Sequence, residues 1–255
     1  MEKPSIALLD GDLIVYRCGF GGQKKLPDGT IEPIPDAVMK ARVDSFIVDL
    51  LMFDLPDCTD YEGYLSLDSE SNFRNAIAVT APYKGNRTAA KPHHYDLIRD
   101  RLLTYWEFHG IIGQEADDSL AQEQTEKGRK TIIVSIDKDM LQVPGWHYNF
   151  VKREKQCVSF KQGFKSFCSQ ILTGDRVDNI IGLRGVGNKT ADKLLNIPWH
   201  PEETKMLLAE VATQYKKHGD TELKHFKENA KLLWLRRRKD YGEEYIDYLI
   251  KELGL

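Results

Sequence analysis

The sequence has no CxxC pair, and its four cysteines (Cys18, Cys58, Cys157 and Cys168) stand far apart. That excludes a disulfide scaffold and a cysteine zinc site and leads us to expect reduced thiols in a cytoplasmic compartment. No apolar run approaches the roughly 20 residues of a membrane span, so no membrane partner is expected. The start runs from MEKPS straight into IALLD without a signal-peptide pattern, so no leader is expected. Low-complexity stretches and a convincing internal repeat are also missing. With 41% apolar residues among 255, the chain is expected to be globular, as one large domain or a domain with an appendage.

Net charge is nearly absent too, at −3, but it is unevenly spread. Residues 1–150 carry 16 Lys+Arg against 24 Asp+Glu, while residues 151–255 carry 20 against 15. An acidic half that supplies metal ligands and a basic half that faces polyanions would divide this way, as would a solvated charged helix surface.

What is abundant is acid placed just after apolar runs. LLDGD holds Asp10 and Asp12, LSLD holds Asp68, EADD holds Glu115, Asp117 and Asp118, and SIDKD holds Asp137 and Asp139. A fifth cluster, GDRVD (Asp175, Asp178), precedes a glycine-rich turn. Strands of an α/β sheet end where their apolar runs end, and such sheets carry their sites beyond the carboxyl ends of the strands. Two carboxylates at about 4 Å repel by roughly 4 kcal/mol at an effective dielectric of about 20. Convergence of these acids therefore implies divalent cations and phosphate chemistry.

The spacing predicts strands at Ser5–Leu9, Gly63–Leu67, Ile111–Ile112 and Thr131–Ile136, the last (TIIVSI) being the clearest buried strand. Met39, Val43, Phe46 and Leu50 share one helix face, after a Gly/Pro-rich loop over Gly19–Pro35. Helices are also expected over His94–His109 and Glu115–Lys127, with loop or short helices over Asn72–Lys91 and His93–His94 at a helix start. The alternation implies an α/β fold with a mostly parallel sheet and helices on both faces. From about Phe160 the chain turns helical, with Phe164, Phe167, Cys168 and Ile171 on one face.

Each motif has a plain alternative. DGD also opens the site of haloacid-dehalogenase-like phosphatases, although Ile14 stands where they carry Thr or Val; a strand-end turn capped by Asp would serve as well. Acids in the first turn of a helix, as in EADD, complement its dipole without any metal. SIDKD delivers two acids at spacing two from a buried strand, as a metal-binding strand end does. In GLRGVGNKTADKLL, Gly182, Gly185 and Gly187 shape a helix-hairpin-helix turn. Lys189, Thr190 and Lys193 lie beside it, and such turns hold DNA phosphates through backbone amides. Tyr83, Lys84 and Arg87, with Arg74 and Lys91 nearby, offer phosphate-binding cations and one ring to stack on a base, or a solvated loop. Arg236–Lys239 (RRRK) reads as the polar face or end of a helix, with at most nonspecific backbone contact.

In their order, EADD, DKD, GDxxDN and GxxGxGxKTA, with YKGNR before them, resemble the 5′-nuclease family over residues 5–196. That family comprises the flap endonucleases and the 5′-3′ exonuclease domains of bacterial DNA polymerases, and the compact length looks most like its phage-encoded members. The resemblance implies a PIN-like nuclease core over residues 1–158 with an arch at about 72–110. It also implies a helical DNA-binding region over 159–255 with its helix-hairpin-helix at about 180–196. By position, Asp10, Asp68, Glu115 and Asp117 would surround a first Mg²⁺ with Asp118 beside them. Asp137, Asp139 and Asp178 would serve a second, with Asp175 in its outer shell. Mn²⁺ could substitute, and K⁺ could sit at the helix-hairpin-helix. Lys84 and Arg87 would be catalytic at the arch base, near the scissile phosphate. Arg74, Tyr83, Lys91, Gly185, Gly187, Lys189, Thr190 and Lys193 would contact DNA. The resemblance thus implies a monomeric, Mg²⁺-dependent 5′-3′ exonuclease and flap endonuclease. It would act on duplex DNA with a 5′ end, nick or flap and leave 5′-phosphorylated products. A non-catalytic branched-DNA-binding module, a PIN-type endoribonuclease and a phosphatase are the alternatives.

Overall fold

The computed structural model describes residues 3–198, 200, 202–237 and 244–254. The chain opens with β1 (Ile6–Asp10), α1 (Gly11–Gly21), β2 (Gln23–Lys25), β3 (Ile31–Pro33) and α2 (Asp36–Asp49). It continues through β4 (Asp60–Ser66), α3 (Arg74–Ile77), α4 (Tyr95–Thr104), β5 (His109–Ile111), α5 (Ala116–Lys127) and β6 (Thr131–Val134). Next come β7 (Gly145–Asn149), β8 (Glu154–Val158), α6 (Phe160–Thr173), β9 (Gly174–Asp175) and β10 (Ile180–Ile181). The last elements are α7 (Asn188–Leu194), α8 (Glu203–Lys217), α9 (Lys224–Leu233) and α10 (Glu244–Glu252). Two compact units interleave along this path: residues 1–69, 89–137 and 145–157 form one, and residues 70–88, 138–144 and 158–255 the other.

The first unit is built on a six-stranded sheet in the order β5-β4-β1-β6-β7-β8. Its pairs β4–β1, β1–β6, β4–β5 and β6–β7 are parallel, as the strand–helix alternation predicts. Residues alternate across the faces of a strand. Ala7 and Leu9 of β1, with Ile132 and Val134 of β6, pack among Ile14 and Val15 of α1, Met39, Val43 and Ile47 of α2, and Ile98 and Leu102 of α4. Leu8 and Ile133, fully buried, point to the other face, where α5 lies across β1, β4 and β6. Helices thus cover both faces and force the acids to the strand ends.

Three local expectations change. The helix expected to reach His109 stops at Thr104, and Glu107 takes a positive φ of 54° that no helix accommodates. The strand expected at Ile111–Ile112 is β5, beginning at His109. The loop over Gly19–Pro35 holds the end of α1 and the β2–β3 hairpin.

The second unit is helical. Phe164, Phe167, Cys168, Ile171 and Leu172 of α6 form its spine, packed with Leu207, Leu208, Val211 and Tyr215 of α8, Phe226 and Ala230 of α9, and Ile246 and Ile250 of α10. Tyr215 donates its hydroxyl to the Ile171 carbonyl at 2.6 Å, satisfying its polar end inside this core.

Candidate active site

In the first unit, β1 ends on Asp10, whose carboxylate caps α1 by accepting the Leu13 N–H at 3.1 Å. The chain can turn there because residue 11 is glycine: a Cβ on Gly11 would lie 2.5 Å from the Tyr64 carbonyl oxygen of β4. This close approach brings Asp12 to the end of β4, where it accepts the Ser66 hydroxyl at 2.5 Å and faces Arg99 at 3.7 Å. Asp68 follows two residues beyond β4, half-buried. Glu115 caps α5 in a reciprocal box with Asp118, which is fully buried, and Asp117 lies in the same first turn. Beyond β6, the Asp137 N–H donates to Ser135 Oγ at 3.0 Å, and Ser135 Oγ donates to Asp10 Oδ2 at 2.8 Å.

These acids act on one another. Burial, then the charges of Asp12 and Asp137, push the Asp10 carboxyl up to about 7, against the opposing hydrogen bonds from Leu13 and Ser135. Burial also raises Asp12, with Glu115 adding to it, while Ser66 and Arg99 pull the other way. Burial and mutual repulsion thus disfavour the charged forms of Asp10 and Asp12, an imbalance that a hard cation would offset.

The second unit carries the remaining acids. Asp175 is buried, which opposes its ionisation. A hydrogen bond with the Asp139 side chain, N–H donors from Asp178 and Val177 and the nearby charge of Lys138 together hold Asp175 below the usual carboxylate range. Asp178 accepts from Arg87 at 2.7 Å and from the Tyr83 hydroxyl at 2.9 Å, with Lys84 Nζ at 3.8 Å. Backbone and amide bonds hold this arrangement in register. Lys84 N–H donates to the Asp178 carbonyl at 2.9 Å, Asn179 to Pro82 O at 2.9 Å and Asn86 to Arg176 O at 2.7 Å. The structure thus brings Tyr83, Lys84 and Arg87 together with Asp178, within this unit.

Arg74 departs from its expected DNA-facing role. It is 2% exposed, donates to the Leu232 carbonyl at 2.9 Å and the Trp234 carbonyl at 3.1 Å, and stacks over Phe73. Its charge is spent on the end of α9, out of reach of a phosphate. Arg236 and Arg237 likewise lie outside a helix: α9 ends at Leu233, Arg236 lies over Phe73, and buried Arg237 donates to the Gln142 carbonyl at 2.6 Å. Arg238 and Lys239 lie outside the described residues. The glycine turn does have the expected form. Gly185 takes a φ of +81°, Gly187 caps α7, and Lys189, Thr190 and Lys193 are exposed around it. Lys91, in the first unit, is exposed with its ammonium 4.3 Å from the Tyr95 ring centre.

All the candidate ligands are carboxylate oxygens, the donors hard divalent cations prefer. Among the described residues no group of three or more His, Cys, Asp or Glu side chains is arranged to hold a metal ion.

Sequence reasoning missed Ser66, Ser135 and Arg99, and the asparagines Asn86 and Asn179. One signal was available for the serines: both precede an acid in the same pattern, Ser66-Leu67-Asp68 and Ser135-Ile136-Asp137.

No model of a known protein family matches the chain. Individual proteins do. A 5′-3′ exonuclease of Buchnera aphidicola from Acyrthosiphon pisum is 38% identical over 224 residues, covering 77% of this chain and 71% of that protein. A 5′-3′ exonuclease of Aquifex aeolicus is 37% identical over 216 residues, 75% of this chain and 68% of that one. Among solved structures, the bacteriophage T5 flap endonuclease in a complex with DNA and metal ions superposes with a TM-score of 0.60. It is 15% identical and covers 98% of this chain and 97% of its own, a likeness of fold. Identity of this order, sustained over three quarters of the sequence, reflects common descent, and the chain belongs to the 5′-nuclease family of 5′-3′ exonucleases and flap endonucleases.

Proposed function

We propose that this protein is a Mg²⁺-dependent 5′-3′ exonuclease and structure-specific flap endonuclease. It hydrolyses DNA phosphodiesters by a two-metal mechanism and releases 5′-phosphorylated products. The observation that carries the reading is the buried Asp10 carboxylate, tied through Ser135 to the Asp137 segment at the carboxyl end of a parallel sheet and held above its usual range by burial and like charges. Such a group is costly to keep unless a cation offsets it. Asp10, Asp68, Glu115 and Asp117 would hold one ion, and Asp137, Asp139 and Asp178 another, with Asp118 and Asp175 in support. Ions so bound supply an activated water and stabilise the leaving oxygen of an in-line attack on phosphorus. The chain's own residues do the rest. Lys84 and Arg87 neutralise charge on the phosphate, and Tyr83 stacks on a base. Lys91, Lys189, Thr190 and Lys193 hold the backbone of the duplex, with K⁺ at the Gly185–Gly187 turn.

On this reading, residues 1–158 are the nuclease core with its arch, and residues 159–255 grip the DNA of a 5′ end, nick or flap. The working protein is a cytoplasmic monomer. The cytoplasmic placement is supported by the four free cysteines.

The test is cleavage of 5′-labelled duplex, nicked and flapped DNA with Mg²⁺, Mn²⁺ or EDTA, beside Asp178→Asn. Metal-dependent release of short 5′ products, lost in the variant, is expected. Binding without cleavage under either metal would instead indicate a DNA-binding module. Neither binding nor cleavage, with release of phosphate from small esters, would indicate a phosphatase.

A further inference from the structure

The two Ser-apolar-Asp tripeptides end the two strands that flank β1: Ser66 closes β4, and Ser135 follows β6. Their hydroxyls do the same job on opposite sides. Ser66 Oγ accepts the Ala116 N–H at 2.9 Å and donates to Asp12 Oδ2 at 2.5 Å. Ser135 Oγ accepts the Asp137 N–H at 3.0 Å and donates to Asp10 Oδ2 at 2.8 Å.

A hydroxyl has one proton to give. In each serine a backbone N–H occupies the oxygen, so the proton is aimed at a carboxylate. Each serine therefore links an acid of the β1–α1 turn to the backbone of another acidic segment. Ser66 joins Asp12 to the start of α5, where Glu115, Asp117 and Asp118 sit. Ser135 joins Asp10 to Asp137. Arg99 completes the first link, donating to the Ser66 carbonyl at 2.8 Å while facing Asp12. Asp12 has its oxygens engaged by Ser66 and Arg99, which gives it a bracing role rather than that of a ligand.

We propose that Ser66 and Ser135 are positioning residues of the acidic site, whose hydroxyls tie together the acids of three separate chain segments on which a divalent cation would draw. The proposal rests on the metal-binding reading above. Partners standing behind metal ligands in this way typically account for about 10–100-fold in metal affinity.

The test is Mn²⁺ binding, read from the paramagnetic resonance of the free ion. It is made in the Asp178→Asn background, so that the acids of the first unit dominate the signal. Ser66→Ala and Ser135→Ala are each expected to weaken binding about 10–100-fold. The threonine variants, which keep the hydroxyl, are expected to bind as the parent does. Circular dichroism and thermal melts check folding. Should an alanine variant not fold, the cysteine variants, near in size but poor donors, are expected to show the same loss. In the Asp178-intact enzyme, kcat is expected to fall while KM for DNA holds. Parent-like affinity in the alanine or cysteine variants, or equal loss in the threonine variants, would overturn the positioning role. A parent that binds no Mn²⁺ would remove the metal reading itself, and the proposal with it.

Discussion

Lys84 and Arg74 are cations of one short stretch with opposite surroundings. Lys84 keeps 21% of its side chain exposed beside Asp178, and its backbone is fixed to the same residue. It can reach an incoming phosphate without leaving a hole behind. Lys84→Ala is expected to slow cleavage by about 10²–10³-fold, the usual cost of one donor aimed at developing charge, with duplex binding nearly unchanged. Comparing single-turnover rates with equilibrium binding checks this, and equal loss of both would contradict the role. Arg74, by contrast, holds two backbone carbonyls at the end of α9. Removing a buried charged donor leaves those acceptors unpaired, so Arg74→Ala is expected to destabilise the protein by roughly 2–5 kcal/mol. The denaturant midpoint reads that loss. The salt dependence of DNA binding in the folded variant is expected to stay as in the parent.

At the scale of elements, the glycine turn before α7 is the feature that should govern duplex binding. Gly185 sits in the left-handed region, and Gly185→Ala forces a side chain there at a cost of about 1–3 kcal/mol. Lys189 and Lys193 are exposed beside the turn. Each lysine-to-alanine change is expected to weaken binding to all sequences alike and to flatten the log–log salt slope by about 1, measured by fluorescence anisotropy across salt concentrations. This turn was readable because glycine spacing and flanking lysines are local signals. So were β1, β4, β6 and the acids that follow them, since a buried strand announces itself by apolar residues and its end by the first polar one. β7 and β8 were not expected. Gly145–Asn149 is short and mixed in polarity, and only the alternation of Trp146, Tyr148 and Phe150 hinted at a strand. The burial of Arg74 was illegible for a different reason. Its partners are carbonyls of Leu232 and Trp234, contributed by a segment far along the chain, and no local pattern encodes such a pairing. The same limit hid the serine links, where a repeated tripeptide was visible but its targets were not.

For the whole molecule, the acid site is expected to couple folding to pH and, on the proposed reading, to metal. Asp10 rises from an ordinary value of 3.8 to about 7 in the folded protein. Between those values the folded chain keeps a proton that the unfolded chain has released. Its contribution to stability is therefore present at acid pH and is lost as pH climbs from about 4 to about 7, by up to about 4 kcal/mol. Asp175, held below its ordinary range, works in the opposite sense at the acid end, losing its contribution as pH falls. Comparing variants isolates the first effect. Without metal, Asp10→Asn is expected to melt at nearly the wild-type temperature near pH 4 and several degrees higher near pH 8. Saturating Mg²⁺ is expected to raise the wild type by mass action and to erase that advantage, because the variant has lost the charge that draws the ion. Melting curves at a series of pH values, with and without Mg²⁺, decide it. A difference that stays flat with pH would mean that Asp10 ionises in the folded protein without help. The strand-end acids would then need no cation to stay ionised, which would contradict the proposed metal site in the first unit.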